Sequence, residues 1–288
     1  MTRPDFAHMT GREIRQRCRS GRFDGPTSGV ALGYVQVNLV VLRADAAGEF
    51  EAFCRANSQT CPLLEKTAQG DFEPKWMAPG GDVRTDLPRY RVLKNGECID
   101  RPTSIQDYWP DHSPPSPLTK GGYRGVVTDL VAFLIGCSFT FETALLEAGI
   151  PIRHIEENKN VPMYRSSIAC TPAGRFHGPM VVSMRAMTPV QAEHATRITA
   201  EFPRVHGAPI HVGDPAAIGI SDVQRPDYGD PVTIHPGEVP VFWACGVTPL
   251  EAILRAKLDI AVTHEPGHML VTDIKDEGLR ESTLGPFT

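Results

Sequence analysis

Two short segments place a cysteine where a buried strand hands over to a helix. LVAFLIG (130–136) runs into Cys137 and Ser138, and VPVFWA (239–244) runs into Cys245, Gly246, Val247 and Thr248. A helix that starts directly after a buried strand presents free N–H groups and its positive dipole end at the rim of the sheet. Such a place holds a carboxylate or a developing oxyanion. Cys137 is a candidate nucleophile there, because a helix N-terminus lowers a thiol's pKa. Ser138 also reads as the helix cap, and both cysteines as small buried residues. Arg165 and Arg185 lie in strand-like runs, PMYRSS and VVSMRA. Each can fork onto a substrate carboxylate or be paired with Glu142 or Glu251. Glu142, one turn into an apolar helix, is a general-base candidate or that partner.

The histidines supply proton-transfer candidates. In HGAPIHVGDP, His211 is expected near the end of a short strand over 208–214, with His206 and Asp214 close in sequence. Imidazole titrates near neutral pH and suits a proton shuttle. His264-Glu265-Pro266-Gly267-His268 has the letters of a zinc-binding H-E-x-x-H helix, but Pro and Gly break the helix that the motif needs. A loop carrying His264 and His268 beside a cleft is the expected form. A metal-dependent hydrolase built on His206, His211, His264 and His268 is the alternative reading. A non-catalytic protein that binds a small carboxylate is another. No P-loop and no G-x-G-x-x-G is present, so no nucleotide cofactor is expected, and none of another kind.

The positioning elements follow from local pattern. Thr10 and Glu13 form a capping box for a helix to about Gly21. A strand is expected over 33–42, a helix over 45–57, and a hairpin over 89–99 turning at Asn95-Gly96. Residues 58–88 read as loop. Helices are expected over 139–149, 188–202 (cap Thr188, then Pro189) and from a second capping box, Thr248 to Glu251, to about Lys257. Strands are expected at 130–136, 151–155, 162–169, 180–186, 239–246, 259–263 and 269–273. Residues 132–148 align without a gap over 241–257, as a duplication or as two ordinary strand–turn–helix units. The Pro- and Gly-rich stretch 109–125 reads as a surface loop separating an N-terminal α/β segment with a hairpin (1–108) from a main α/β segment (126–288).

Composition narrows the class. The 288 residues include 26 Gly and 26 Pro, yet 41% are hydrophobic, which describes a turn-rich globular chain. A net charge of −5 and a pI near 6.1 argue against nucleic acid. The cluster Arg12, Arg15, Arg17, Arg19 and Arg22 reads as a solvated helix face. No apolar run approaches a membrane span and no signal-like segment opens the chain. Seven cysteines without a C-x-x-C pair suggest reduced thiols and a cytoplasmic setting. A small carboxylate or amino acid is the expected partner, with a homo-oligomer possible.

GPTSG, YVQVNLVVL, FCRAN, CPLLE, DVRTDLPRYRV, FLIGCSFTFE, RHIEENKNVPMYR, VVSMR, HGAPIHVGDP, IGISD, VPVFWACGVTP and HEPGHMLVTD together resemble the hydro-lyase family that includes D-glutamate cyclase. The resemblance runs from about Gly25 to Asp273, and 109–125 looks like an insertion within it. It implies an α/β fold: a layered α/β/α mixed-sheet domain with a smaller two-layer α+β region. It also implies dehydration of D-glutamate to 5-oxo-D-proline. Such a reaction needs a base for the amine, N–H donors for the oxyanion, an acid for the leaving hydroxyl and an Arg for the α-carboxylate. Arg185 or Arg165 would hold that carboxylate. The turns at Gly136–Ser138 and Cys245–Thr248 would cradle the reacting carboxyl. His211, with His206 or Asp214, would move the proton.

Overall fold

The structure, a computed structural model, describes residues 3–110 and 129–280. Most of the 109–125 insertion lies outside the described residues. The order is α1 (Gly11–Arg19), β1 (Tyr34–Arg43), α2 (Ala44–Ala56), β2 (Leu63–Lys66), β3 (Tyr90–Lys94), β4 (Glu97–Asp100) and β5 (Leu130–Gly136). A 3-10 turn, Ser138–Phe141, then opens α3 (Glu142–Glu147). There follow α4 (Arg153–Glu156), β6 (Met163–Ala169), β7 (Pro179–Met187), α5 (Pro189–Ala200) and β8 (His211–Val212). The last elements are β9 (Val239–Ala244), α6 (Thr248–Ala256), β10 (Ala261–His264) and β11 (Leu270–Lys275).

Two sheets result. One has the order β2-β5-β1-β10-β3-β4, with β11 also on β1; the other is β6-β7-β9-β8. The chain has the α/β character expected of it, and the pairings among its named strands are antiparallel. β1 is central and buried on both faces. Val35, Val37, Leu39 and Val41 enter a core shared with Val241 and Trp243 of the second sheet. Val40 and Leu42 face the layer formed by Phe50, Phe53, Leu250 and Ile253 of α2 and α6. The two-residue alternation thus sends successive side chains into different layers.

β10 and β11 form one antiparallel run along β1, interrupted in the middle. Thr263 pairs with Val40 and Leu270 with Val37, so residues 265–269 bud out opposite Asn38 and Leu39. The HEPGH segment is therefore a loop projecting from a strand, not a helix.

The strand–turn–helix repeat is visible in the register. Val37 pairs with Gly136 and Leu39 with Leu134; Val182 pairs with Ala244 and Met184 with Phe242. Counting from these registers, Cys137 in the β1/β5 pair corresponds to Cys245 in the β7/β9 pair, and Thr140 to Thr248. This is one residue off the ungapped sequence alignment. Thr140 Oγ1 accepts from Gln36 N at 3.2 Å, and Thr248 Oγ1 accepts from Val181 N at 2.9 Å. Each hydroxyl pins its helix to the partner strand.

Local signals locate most elements. The Thr10/Glu13 and Thr188/Gln191 capping boxes are formed. Asn95 and Gly96 take positive φ of 51° and 82°, as a tight hairpin demands. Four expectations change. Thr248 caps nothing: it begins α6 pinned to β7, and Glu251 turns to arginines instead. Residues 151–155 are not a strand, because α4 turns His154 toward Glu142. Leu63–Lys66, read as loop, pairs at the edge of β5. The arginine cluster is only partly solvated: Arg15 is buried on Asp273 and Val271 O, and Arg19 grips Asp86.

Candidate functional site

The two cysteine turns meet at Asn38, a polar residue inside the apolar β1. Its Nδ2 donates to Gly136 O at 2.7 Å and Ile135 O at 3.2 Å. A Cβ at Gly246 would overlap that same amide group, so the second turn passes Asn38 in contact and only glycine fits. Cys137, rather than Ser138, caps the first turn, its Sγ accepting from Phe139 N at 3.5 Å. Burial pushes the Cys137 thiol well above the usual range, and that of Cys245 up to about 11. The helix terminus was expected to favour the thiolate; loss of solvation outweighs it.

Ser138 instead accepts from Arg185. That guanidinium is fully buried between the rings of Phe141 and Trp243, at 5.3 and 5.4 Å. Its Nη2 donates to Ser138 Oγ at 3.1 Å and to Glu142, its Nη1 to Ser183 Oγ at 3.1 Å, and its Nε to Glu142 Oε1 at 3.1 Å. The carboxylate held by this fork is thus Glu142, itself 1% exposed. His154 Nε2 stands 3.0 Å from the same Oε1, and Ser28 Oγ donates to Oε2 at 3.2 Å. Burial alone would raise the Glu142 pKa. The charges of His154 and Arg185 and the hydrogen bonds they make outweigh it, so the carboxylate stays ionised below its ordinary range.

Ser28 extends the network toward the HEPGH loop. Its neighbour Thr27 donates through N to Gly267 O at 2.8 Å, and Thr27 Oγ1 accepts from Met269 N at 3.1 Å. Asn160 Nδ2 donates to Pro266 O at 3.1 Å, and Gly267, at φ 84°, lies so close that a Cβ would collide with the Asn160 amide. His264 fills the gap left in the strand. Its Nδ1 lies 3.3 Å from Leu39 N and 3.2 Å from Leu39 O, which leaves Nε2 buried with no hydrogen-bond partner among the described residues. His268 Nδ1 turns to Pro266 O at 3.1 Å.

The second unit carries its own centre. Arg165 Nε donates to Glu251 Oε1 at 2.8 Å and Nη1 to Asp227 Oδ1 at 2.6 Å. Tyr228 Oη also donates to Glu251, and Arg255 Nη1 donates to Oε2 at 2.6 Å. Arg185 is sealed, whereas the Arg165 side chain is 42% exposed.

The remaining candidates fall outside the network. His206 is buried with positive φ, its Nδ1 2.9 Å from Gln59 O. His211 sits on the edge strand β8 over Phe242, with Nε2 2.7 Å from Asp214 O; Asp214 caps the turn that follows. The four histidines of the metal alternative therefore bind four separate backbone carbonyls. Among the described residues no three His, Cys, Asp or Glu side chains are grouped to hold a metal. No described helix is long and apolar enough to cross a membrane. Sequence reasoning missed Ser28, Asn38, His154, Asn160 and Ser183. Asn38 carried a signal, as an amide inside an apolar strand; the others lay in segments read as turn, strand or loop.

Burial lowers the pKa of both His206 and His264 to about 4. An unfolded imidazole titrates near 6.5, so between those values the unfolded chain binds more protons than the folded one. Stability should be fully present above about pH 6.5 and fall as the pH drops toward 4, by on the order of 3 kcal/mol for each histidine. Denaturant midpoints measured from pH 4 to 7 check this. A slope unchanged in His206→Gln and His264→Gln would assign it to other groups.

A sequence model of the D-glutamate cyclase family matches residues 131–273. A protein of Stutzerimonas stutzeri is 51% identical over 274 residues, covering 95% of this chain and 97% of its own. One of Geobacillus kaustophilus is 52% identical over 273 residues, with the same coverages. One of Bacillus licheniformis is 52% identical over 265 residues, covering 92% and 95%. Each of the three bears the name "Putative hydro-lyase". Identity at this level over nearly the whole chain, together with the family match, places the chain in the D-glutamate cyclase-like hydro-lyase family.

Proposed function

We propose that the chain closes D-glutamate to 5-oxo-D-proline with release of water, or dehydrates a similar small carboxylate. The supporting observation is the buried network itself: GPTSG, GCS, the Glu142 helix, VVSMR and the HEPGH loop meet through Ser28, Ser138, Glu142, Arg185 and Thr27. In the reaction the α-amine attacks the side-chain carboxyl carbon. A C–N bond forms, a C–O bond breaks, and the amine's proton leaves with the hydroxyl as water. Arg185, its fork taken by Glu142, Ser138 and Ser183, fixes the turn after β5 from behind and does not itself meet the α-carboxylate. The turns after β5 and β9 direct N–H groups at the reacting carboxyl. His264, neutral at physiological pH with Nε2 uncommitted, is the better-placed proton carrier, in place of the edge residue His211. Cys137 acts as a cap rather than a nucleophile.

Incubation with D- and L-glutamate, monitored for 5-oxoproline, tests the reading; folded protein that forms none from either isomer would refute it. His264→Gln should lower turnover at least 100-fold, whereas His211→Gln and Cys137→Ala should stay within about threefold of wild type. Loss of activity in His211→Gln alone would return the proton-transfer role to the β8 edge.

A further inference from the structure

We propose that the open centre of the second unit is a separate binding site for a small α-amino acid in its zwitterionic form. A cavity of about 370 Å³ opens beside Arg165 and is lined by Tyr164, Arg165, Ser221, Asp222, Arg225 and Asp227. That volume lies at the small end of ligand pockets and suits a metabolite of few atoms. Its walls are built differently from a chance surface hollow. Arg165 is fixed from behind by Glu251, Asp227 and Tyr228 Oη, the last accepting from Nη2 at 2.9 Å. The loop that follows Ser221 is held by Tyr164, whose Oη donates to Val223 O at 2.6 Å. Asp222 uses one oxygen to accept from Gln224 N at 2.8 Å. The Arg225 guanidinium has no side-chain partner among the described residues.

Two arginines and two aspartates line this cavity, Arg165 already paired with Asp227, so the lining carries both signs. A simple anion would meet Asp222 and Asp227 as well as the arginines, and a simple cation the reverse. A molecule carrying a carboxylate and an ammonium a few ångströms apart meets complementary charge at both ends: Arg225 for the carboxylate, Asp222 for the ammonium. The Arg185–Glu142 pair is sealed inside the protein, whereas Arg165 reaches the surface.

The test is calorimetric titration of the full chain with the common α-amino acids and both isomers of glutamate, with amide NMR shifts locating the ligand. The expected result is saturable binding of at least one amino acid with shifts at Gly219–Asp222. Binding should weaken at least tenfold in Arg225→Ala and in Asp222→Asn, both surface substitutions. Absence of shifts at these amides with every amino acid, or unchanged binding in both variants, would overturn the proposal. So would a tenfold fall in 5-oxoproline turnover in Arg225→Ala, because the cavity would then be the reaction's own cleft. Wild-type protein that binds an amino acid here yet forms no 5-oxoproline sinks only the proposed reaction.

Discussion

Glu142→Gln should destabilise the protein by about 3–5 kcal/mol and abolish its turnover. The carboxylate is the charge partner of a guanidinium with no exposed surface, and neither group has water to fall back on. Gln keeps the shape and one acceptor oxygen but leaves Arg185 as a buried, uncompensated charge, the arrangement that breaks most severely when one partner is removed. It also loses the carboxylate oxygens shared with His154 and Ser28. The pH dependence has a definite sign. Glu142 is held below its ordinary pKa, so its contribution is present above the unfolded carboxylate range and is lost as the pH falls through the lower, folded value. Thermal and denaturant unfolding at pH 7 measure the loss, and the variant's stability should depend less on pH in the acid range. A companion variant separates charge from packing: Glu142→Leu with Arg185→Met removes both charges and should recover much of the stability without recovering turnover. A single Glu142→Gln that costs less than about 1 kcal/mol would mean that the pair is solvated in solution.

The second large effect is expected at the contact between the two cysteine turns. Gly246→Ala should cost about 2–4 kcal/mol, since the added methyl enters the space of the Asn38 amide. Asn38 cannot turn aside freely, because its Nδ2 is bonded to Gly136 O and Ile135 O. Yielding to the methyl would strip those carbonyls of a buried donor, for about 1–3 kcal/mol more if no other group replaces it. Asn38→Ala alone should also destabilise, for that reason. In Asn38→Ala/Gly246→Ala the clash is gone, so the double variant should be more stable than the sum of the single losses predicts, by about 1–3 kcal/mol. A strictly additive pair would show that the turns do not touch in solution.

Much of the architecture was legible beforehand. The capping boxes at Thr10 and Thr188, the Asn95-Gly96 hairpin and the continuous apolar runs at 130–136 and 239–244 report on bonds and burial within a few residues. Failures arose where a distant group changed the local outcome. Thr248 and Glu251 have the spacing of a capping box, but Val181 and Arg165 claim them. Residues 151–155 have the pattern of a strand, yet form a helical turn that brings His154 to Glu142. Arg185 and Glu142 were legible as candidates and as possible partners of each other, while Ser28 and Ser183, which complete their shell, were not.

The sequence by itself determined the strand–turn–helix units, their paired cysteines, the helix-breaking Pro and Gly of the HEPGH loop and the family resemblance. All of these are properties of residue type and short spacing. Tertiary structure decided the chemistry available to them. It joined Leu39 to His264 across 225 residues and Ser28 to Glu142 across 114. It buried Cys137 deeply enough to suppress its thiolate, sealed one arginine while opening the other, and set His211 at an edge. The reason is that a side chain's ionisation and reach depend on which groups approach it and how much water they displace, and those groups lie far away in the chain.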